Sequence, residues 1–266
     1  MSRRALVYLL VLIIVAAPLG YIAYGYTQFS GLLAPKENAT VHTYMVLHFP
    51  NGTYVAVPEP YYLNITKGGK KVPVGVRVYS VDVFGYLTGF PESDINATML
   101  SKYERFTIIV GSTKVKACSK NPSEFRGDCS LRSAAVSEIS ALTSTLFKIP
   151  YYQEALKKGM DNASARQYAY EQTINRYDVR YLSMMTKVAI GTGRLGNKDH
   201  LAVVLIGPAE GGEENRIFTP RRGLLILEAS SDDALRAEVV LIETILNFKW
   251  PSGEKNKQVA SNSTKS

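Results

Sequence analysis

The N-terminus of this chain is its strongest constraint, because 31 consecutive residues, from Ala5 to Pro35, carry no charge. Within this stretch Ala5–Ala17 is an unbroken apolar run, and continuing to Tyr24 gives about the 20 residues that cross a bilayer as a helix. A helix on the surface of a water-soluble domain needs a polar face, and this stretch has none. The pattern therefore predicts a membrane segment over residues 1–30 that contacts lipid through residues 5–26.

The residues around the apolar run predict its orientation and leave two outcomes open. Arg3 and Arg4 precede it, so the positive-inside rule keeps them in the cytoplasm and places the body of the chain outside. One outcome is an uncleaved signal-anchor of a single-pass cell-membrane protein, favoured by a belt of tyrosines after the run and by the lack of a clean Ala-x-Ala site. The other is secretion after cleavage at Ala23-Tyr24-Gly25.

Asparagine sequons give an independent sign of translocation. Ser and Thr together are 38 of 266 residues, so twelve asparagines predict fewer than two Asn-x-Ser/Thr triplets by chance, whereas six occur. Such an excess is typical of a glycoprotein whose acceptor asparagines lie on exposed backbone. The predicted glycosylation sites are Asn38, Asn51, Asn64, Asn96, Asn162 and Asn262.

The two cysteines of the chain, Cys118 and Cys129, bracket ten residues rich in turn formers. In an oxidising compartment a disulfide between them would stabilise the fold by roughly 3 kcal/mol on the chain-entropy model. A zinc site is disfavoured because no histidines accompany the pair at metal-ligand spacing. The sequence thus predicts a Cys118–Cys129 disulfide in an extracellular body.

Composition excludes a disordered chain and argues against nucleic-acid binding. Hydrophobic residues make up 46% and charged residues 20% of the chain, as in globular proteins. The net charge of +8 comes from scattered cations, with no run of five like charges. A nucleic-acid footprint needs clustered cations and aromatic platforms, so the expected partners are membrane lipid and other cell-surface or membrane proteins, with no nucleic acid.

Residues 38–99 are predicted to form a β-rich region. The runs Tyr44–Phe49 and Thr53–Val57 flank an Asn-Gly dipeptide, which supplies the positive φ angles of a tight hairpin turn. Further strands are predicted at Tyr61–Ile65 and Val72–Val83. Together these runs indicate a small antiparallel sheet.

Residues 100–250 are predicted to form an α/β region, and the polar tail 251–266 is predicted to be disordered. Continuously apolar runs alternate with amphipathic ones, which is typical of a sheet covered by helices. The predicted strands are Phe106–Val110, Leu201–Ile206 and Gly223–Glu228. The predicted helices are Ser130 to Pro150, Tyr152–Lys158, Asp161 to Lys187 and Asp232–Leu246. The fold class is therefore α+β or α/β: an N-terminal membrane helix, a small antiparallel region, then a sheet covered by amphipathic helices.

Catalytic and cofactor motifs are weak. Gly191–Gly196 matches Gly-x-Gly-x-x-Gly, but a helix is predicted before it and a strand after it, the reverse of a dinucleotide site, so a helix-ending turn is expected. The three histidines have no metal-ligand spacing, so no metal or cofactor is predicted. The histidines are His42, His48 and His200.

Three carboxylates are the one candidate for acid–base chemistry. Glu210, Glu213 and Glu214 crowd the loop that follows the apolar strand Leu201–Ile206, and ligand sites of α/β sheets lie beyond the carboxyl ends of strands. A solvated acidic loop is the competing interpretation, and it is the favoured one.

One segment combines a short motif with a strand and a helix. Val203–Ala209 is followed by Asn215, the predicted strand Gly223–Glu228 and the predicted helix Asp232–Leu246. This segment is similar to archaeal surface-layer glycoproteins, which have an apolar strand ending in Gly-Gly-Pro-Ala-x-Asn, then a further strand and an alanine-rich helix. One glycine is missing before the proline, and five residues separate Ala209 from Asn215. The resemblance covers about 45 residues and implies a cell-surface location and an α/β fold, without catalysis.

The function predicted from the sequence is a membrane-anchored extracytoplasmic glycoprotein with a structural or binding role at the cell surface. One alternative is an accessory subunit of a membrane complex or filament. Another is an extracytoplasmic hydrolase with a carboxylate site, which is disfavoured because no nucleophile, metal or acid–base set is recognisable.

Overall fold

The computed structural model describes residues 3–34, 42–48, 54–58, 74–78, 103–111 and 128–245, and in the first helix it describes the side chains of residue 11 and residues 14–32. Several sequence predictions fall outside these ranges. Among them are the hairpin turn at 50–52, the strand at 61–65, the boundary at residue 99 and the tail 251–266.

The described residues form five helices and eight strands. They are α1 (Arg3–Leu32), β1 (His42–His48), β2 (Tyr54–Pro58), β3 (Val74–Val78), β4 (Arg105–Val110), α2 (Cys129–Lys157), α3 (Asn162–Thr173), β5 (Tyr177–Tyr181), α4 (Met184–Gly191), β6 (His200–Ile206), β7 (Arg216–Arg221), β8 (Leu224–Glu228) and α5 (Asp232–Ile245). Short 3-10 turns occupy Ile174–Arg176 and Pro208–Glu210.

The described strands form a mixed sheet in the order β2-β1-β3-β7-β8-β6-β4-β5. β5, β4, β6 and β8 run parallel, and β7 returns antiparallel beside β8. β1 pairs antiparallel with β2 and with β3, which confirms the predicted hairpin strands. β3 joins the larger part of the sheet by pairing Arg77 with Arg216 and Val78 with Ile217. The predicted combination of a small antiparallel region and a sheet with helices is thus confirmed, and the larger part of the sheet is mixed.

Helices cover both faces of the parallel strands, which explains why residues 201–206 of β6 and 224–227 of β8 are all apolar. Along β6, Leu201, Val203 and Leu205 pack toward α2 and α5. The alternate residues, Ala202, Val204 and Ile206, pack on the opposite face with Phe29 of α1 and Ile190 of α4. The C-terminal part of α1 is therefore one of the layers of the fold.

Two predicted helix boundaries around α2 are wrong. α2 begins after Asp128, whose Oδ1 accepts hydrogen bonds from the backbone N–H of Ser130 and Leu131 at 2.8 and 3.1 Å. Asp128 is therefore the N-cap of a helix that was predicted to begin at Ser130. The helix then continues through Pro150 to Lys157. A proline removes one backbone donor, and the packing of α2 against α3 stabilises the helix across this position.

The predicted single helix from Asp161 to Lys187 is also wrong. α3 ends at Thr173, Tyr177–Tyr181 forms the strand β5, and a second helix begins at Met184. The strand pairs in parallel with β4 along its whole length. Aromatic and β-branched residues favour strands, and this pairing outweighs the helical spacing of the tyrosines.

α1 is a helix of 30 residues that continues through Pro18. Judged on the described residues alone, no helix combines the length and the hydropathy needed to cross a membrane.

Candidate functional site

The C-terminal half of α1 lies against α4 with backbone in contact with backbone. A Cβ atom on Gly191 would lie 1.8 Å from the carbonyl oxygen of Gly25, and one on Gly25 would lie 2.7 Å from Cγ1 of Val188. Glycine at both positions is what lets the two helices approach this closely. The α1 residues that face α4 are Tyr21, Gly25 and Phe29. They are four residues apart and therefore lie on one face of the helix.

Aromatic and cationic side chains hold the same crossing. The Tyr21 hydroxyl donates to Oγ1 of Thr192 at 3.1 Å, and the Arg194 guanidinium lies 5.2 Å from the centre of the Tyr21 ring. The Lys187 ammonium is 5.7 Å from the ring centres of both Tyr26 and Phe29. Such cation–π contacts contribute roughly 0.5–1 kcal/mol each at exposed sites.

The last turn of α1 is fixed to the sheet. Nη2 of Arg216 donates to the backbone carbonyl of Leu33 at 2.9 Å, and Phe29 is 3% exposed. A cation at the C-terminus of a helix also interacts favourably with its dipole. The docked half of α1 is therefore attached at both of its ends.

The preceding part of α1 exposes apolar side chains. The exposed fractions are 52% for Val11, 66% for Ile14, 54% for Val15 and 61% for Leu19. Contiguous exposed apolar surface of this kind marks a site of contact with a membrane or another protein. We refer to Val11 and residues 14–20 as the apolar arm.

The apolar arm leaves the body at the edge where the parallel strands begin. Tyr21 contacts Thr192, in the loop that leads into β6, whereas Leu33 is bound to Arg216. Arg216 is paired with Glu228, the last residue of β8. α1 therefore runs in the same direction as the parallel strands, and the arm projects beyond their amino ends.

One carboxylate of the predicted acid–base site, Glu210, belongs to a buried ion cluster at the opposite edge of the sheet. Glu210 pairs with Nη2 of Arg132, and Nε of Arg132 lies 2.8 Å from Oδ1 of Asp232. The three side chains are 3%, 0% and 0% exposed. Burial raises the pKa of Asp232, while Arg132 opposes this shift. A substrate has no access to these carboxylates, so the cluster is structural.

Two glycines make room for this cluster at the ends of β4 and β6. A Cβ on Gly111 would lie 1.7 Å from Oε1 of Glu210, and one on Gly207 would lie 2.3 Å from Nη2 of Arg132. Oε2 of Glu210 also accepts from the backbone N–H of Gly207 at 2.9 Å. The cluster thus ties the carboxyl ends of these strands to the starts of α2 and α5.

The other carboxylates of this loop differ from Glu210. Glu213 and Glu214 are exposed, and Glu214 lies 3.5 Å from Nη1 of Arg216. Asn215, which belongs to the surface-layer resemblance, accepts from the backbone N–H and the hydroxyl of Ser230, both at 2.9 Å. It holds together the loops that follow β6 and β8.

Of the predicted glycosylation sites, Asn162 is described. It is the first residue of α3 and is exposed, and its Oδ1 accepts from the Tyr152 hydroxyl at 3.1 Å. The other five sequons, at Asn38, Asn51, Asn64, Asn96 and Asn262, lie outside the described residues. Cys129 opens α2, and no described cysteine is a free thiol. Its predicted partner Cys118 is not among the described residues, so their disulfide stays a prediction.

The glycine motif and the described histidines have structural environments. Gly193 and Gly196 adopt left-handed backbone angles, with φ of 76° and 67°, between α4 and β6, as the turn interpretation expects. His48 stacks on Tyr54, and the imidazole of His200 contacts the Thr107 hydroxyl at 2.6 Å. His42 opens β1. Within the described ranges, no group of three potential ligands is placed to hold a metal ion.

The sequence interpretation missed the docking of α1 and the buried Glu238. Tyr21, Gly25 and Phe29 are spaced four residues apart, as on one face of a helix. This face could not be recognised from the sequence, because the stretch has no charged residues that would mark an opposite, polar face. Glu238 lies three residues after Leu235, on the apolar face of α5, and this spacing was a readable sign of burial.

Comparison with protein-family models, curated proteins and solved structures finds no match for this chain.

Proposed function

We propose that this protein is an extracytoplasmic glycoprotein held in the cell membrane by the N-terminal part of α1, with a structural or binding role at the cell surface. The observation that carries the proposal is the division of one continuous helix into two environments. Its C-terminal half is docked on the sheet, and its apolar arm is exposed.

Lipid is the cover that suits the apolar arm. Full burial of a Val, Leu or Ile side chain stabilises by roughly 1.5–3 kcal/mol, so leaving the arm in water would be costly. The absence of a spanning helix applies to the described side chains, and the apolar residues 5–10 precede them. The twenty residues from Ala5 to Tyr24 have the length of a bilayer core.

The docked half of α1 supports an uncleaved anchor over secretion. The alternative cleavage sequence, Ala23-Tyr24-Gly25, lies inside the helix, and Gly25 is in backbone contact with Gly191. Cleavage there would remove the ring of Tyr21 from Arg194 and cut the layer that covers one face of the sheet. The folded body therefore benefits from keeping the segment.

The aromatic residues at the start of the docked half suit a membrane interface. Tyr21, Tyr24 and Tyr26 are 37%, 59% and 44% exposed. Tyrosine is enriched at the boundary between hydrocarbon and water, and Arg194 and Lys187 beside these rings suit lipid headgroups. This boundary would lie where the arm leaves the body.

Two further observations favour a cell-surface role. The exposed position of Asn162 suits a glycan, and the resemblance to surface-layer glycoproteins implies the same location. The hydrolase alternative loses one of its candidate catalytic carboxylates, because Glu210 is buried in an ion pair with Arg132. The subunit alternative gains support from exposed apolar residues on the body, of which Met184 and Met185 are 57% and 60% exposed.

Membrane fractionation with one matched pair of variants tests the anchor. The Ile14→Asp variant should leave the alkaline-washed membrane pellet, since an Asp at the bilayer centre costs about 2.5–3.5 kcal/mol. The Met184→Asp variant adds the same charge to an exposed residue of the body and should stay in the pellet with the wild type.

Protease added from outside should digest the body of the wild-type protein in intact cells. A wild-type chain found in the soluble cell interior, with unmodified sequons, would refute the proposed function.

A further inference from the structure

β5 is the last strand of the sheet among the described residues, where it pairs with β4 alone. Val179 at its centre is 51% exposed, and Asp178 and Arg180 beside it are 42% and 50% exposed at their side chains. An open strand edge offers backbone donors and acceptors to another strand. Among the described residues, no further strand pairs with this edge.

The sequence of β5 is chemically symmetric about Val179. It reads Tyr177-Asp178-Val179-Arg180-Tyr181, so an aromatic residue and a charged residue flank the centre on each side, with opposite signs of charge. When two copies of such a strand lie antiparallel with Val179 opposite Val179, Asp178 of each copy faces Arg180 of the other. Each tyrosine then faces a tyrosine.

The electrostatics of this strand select one arrangement. Opposite charges directly across an antiparallel pair stabilise it by roughly 0.2–1 kcal/mol, and like charges destabilise it. A parallel pairing of two copies would place like charges side by side. The antiparallel arrangement forms two favourable charge pairs and two aromatic pairs at once.

The two charged side chains are ordered within the body by hydrogen bonds. Nε of Arg180 donates to Oδ2 of Asp178 at 2.6 Å, and the Thr107 hydroxyl donates to the other carboxylate oxygen of Asp178. Both charges therefore lie on one face of the strand, as residues two apart in a strand do. Ordering them in advance lowers the entropy that association must overcome.

We propose that β5 binds the β5 strand of a second copy of this chain in an antiparallel arrangement, with the two-fold axis midway between the two Val179 residues. The two sheets then become one continuous sheet, and the interface is isologous, as in most soluble dimers. Met184 and Met185 follow β5 by a few residues and add exposed apolar surface beside the contact. The proposal concerns the body of the protein and does not depend on membrane insertion.

Charge exchange tests this pairing on the full-length protein in mild detergent. Sedimentation over a range of concentrations should show a dimer of the wild type. Asp178→Arg and Arg180→Asp each leave only like charges across the interface, so each variant alone should associate at least about tenfold more weakly. An equimolar mixture of the two variants restores opposite charges at both positions and should form a heterodimer.

The double variant Asp178→Arg/Arg180→Asp keeps the symmetry and should dimerise again, which separates loss of pairing from loss of folding. A wild type that stays monomeric at every concentration would overturn the proposal. So would single variants that dimerise as strongly as the wild type, because the association would then run through α1 or another surface. Neither result bears on the membrane anchor.

Discussion

Glu238 is a carboxyl group inside the apolar layer between α5 and the sheet, where its side chain is 0% exposed. Burial raises its pKa well above the ordinary value, and the negative charge of Glu228 adds to this, while Arg216 opposes it. The folded protein therefore holds Glu238 protonated over a range in which the unfolded chain has released the proton. A buried acid kept neutral in this way makes stability depend on pH.

The Glu238→Gln variant should lose this pH dependence. For the wild type, the contribution of Glu238 is most favourable below about pH 4.3, the unfolded pKa, and it falls by about 1.4 kcal/mol for each pH unit above it while the folded carboxyl keeps its proton. The loss ends once pH passes the raised pKa of the folded state. Glutamine has the same shape and does not titrate.

Urea unfolding of both proteins between pH 4 and pH 8 measures this effect as the difference between their free energies of unfolding. The variant should gain on the wild type as pH rises. An equal difference at every pH would mean that Glu238 titrates alike in the folded and unfolded chains.

At the scale of single elements, α1 and β5 show where sequence reasoning succeeded and where it failed. The apolar stretch predicted the helix of α1, but its uniform composition hid the face that packs on α4. The tyrosine spacing predicted a helix through Tyr177–Tyr181. The segment is a strand instead, because it forms backbone hydrogen bonds with β4. Pairing with a distant strand leaves no trace in local periodicity.

The contact of α1 with α4 is tested by two glycine substitutions. Gly191→Ala would place a Cβ against the carbonyl oxygen of Gly25, so we expect it to cost roughly 1–3 kcal/mol and to weaken the docking of α1. Gly31 lies in the same helix with nothing within 4 Å of an added Cβ, and Gly31→Ala should stabilise by roughly 0.5–1 kcal/mol.

Denaturant unfolding in detergent gives both values, and amide hydrogen exchange of residues 21–32 reports the docking directly. Equal stability of the two variants would contradict close packing at this crossing.

At the scale of the whole molecule, the chain is a helix-covered sheet in which the N-terminal segment is a structural layer. Apolar strands β6 and β8, the hairpin strands β1 and β2, and the helix α5 were all predictable, because each buries an alternating or continuous apolar pattern. The ion cluster at Arg132 was not, because its members come from three distant parts of the sequence. The loop after β6 was the one candidate for acid–base chemistry in the sequence. Its Glu210 instead pairs with Arg132 in this ion cluster.

Truncation tests the structural role of this layer. A chain lacking residues 1–19 keeps the docked half of α1 and should unfold cooperatively in water, with the stability of the full-length body. A chain lacking residues 1–33 would uncover Ile190, Val204 and Ile226 on one face of the sheet, so we expect it to aggregate or to lose cooperative unfolding. Thermal unfolding followed by circular dichroism, with light scattering, distinguishes these outcomes. Equal melting of both truncated chains would show that the face needs no cover from α1.

The direction of α1 along the parallel strands sets how two copies joined through β5 would stand. A two-fold axis that reverses β5 also reverses every strand parallel to it. The two apolar arms, which project beyond the amino ends of these strands, would then point in opposite directions. As long as each arm continues its helix, the two copies would therefore be anchored in separate bilayers that face each other. Pairing through β5 would then connect neighbouring cells or vesicles.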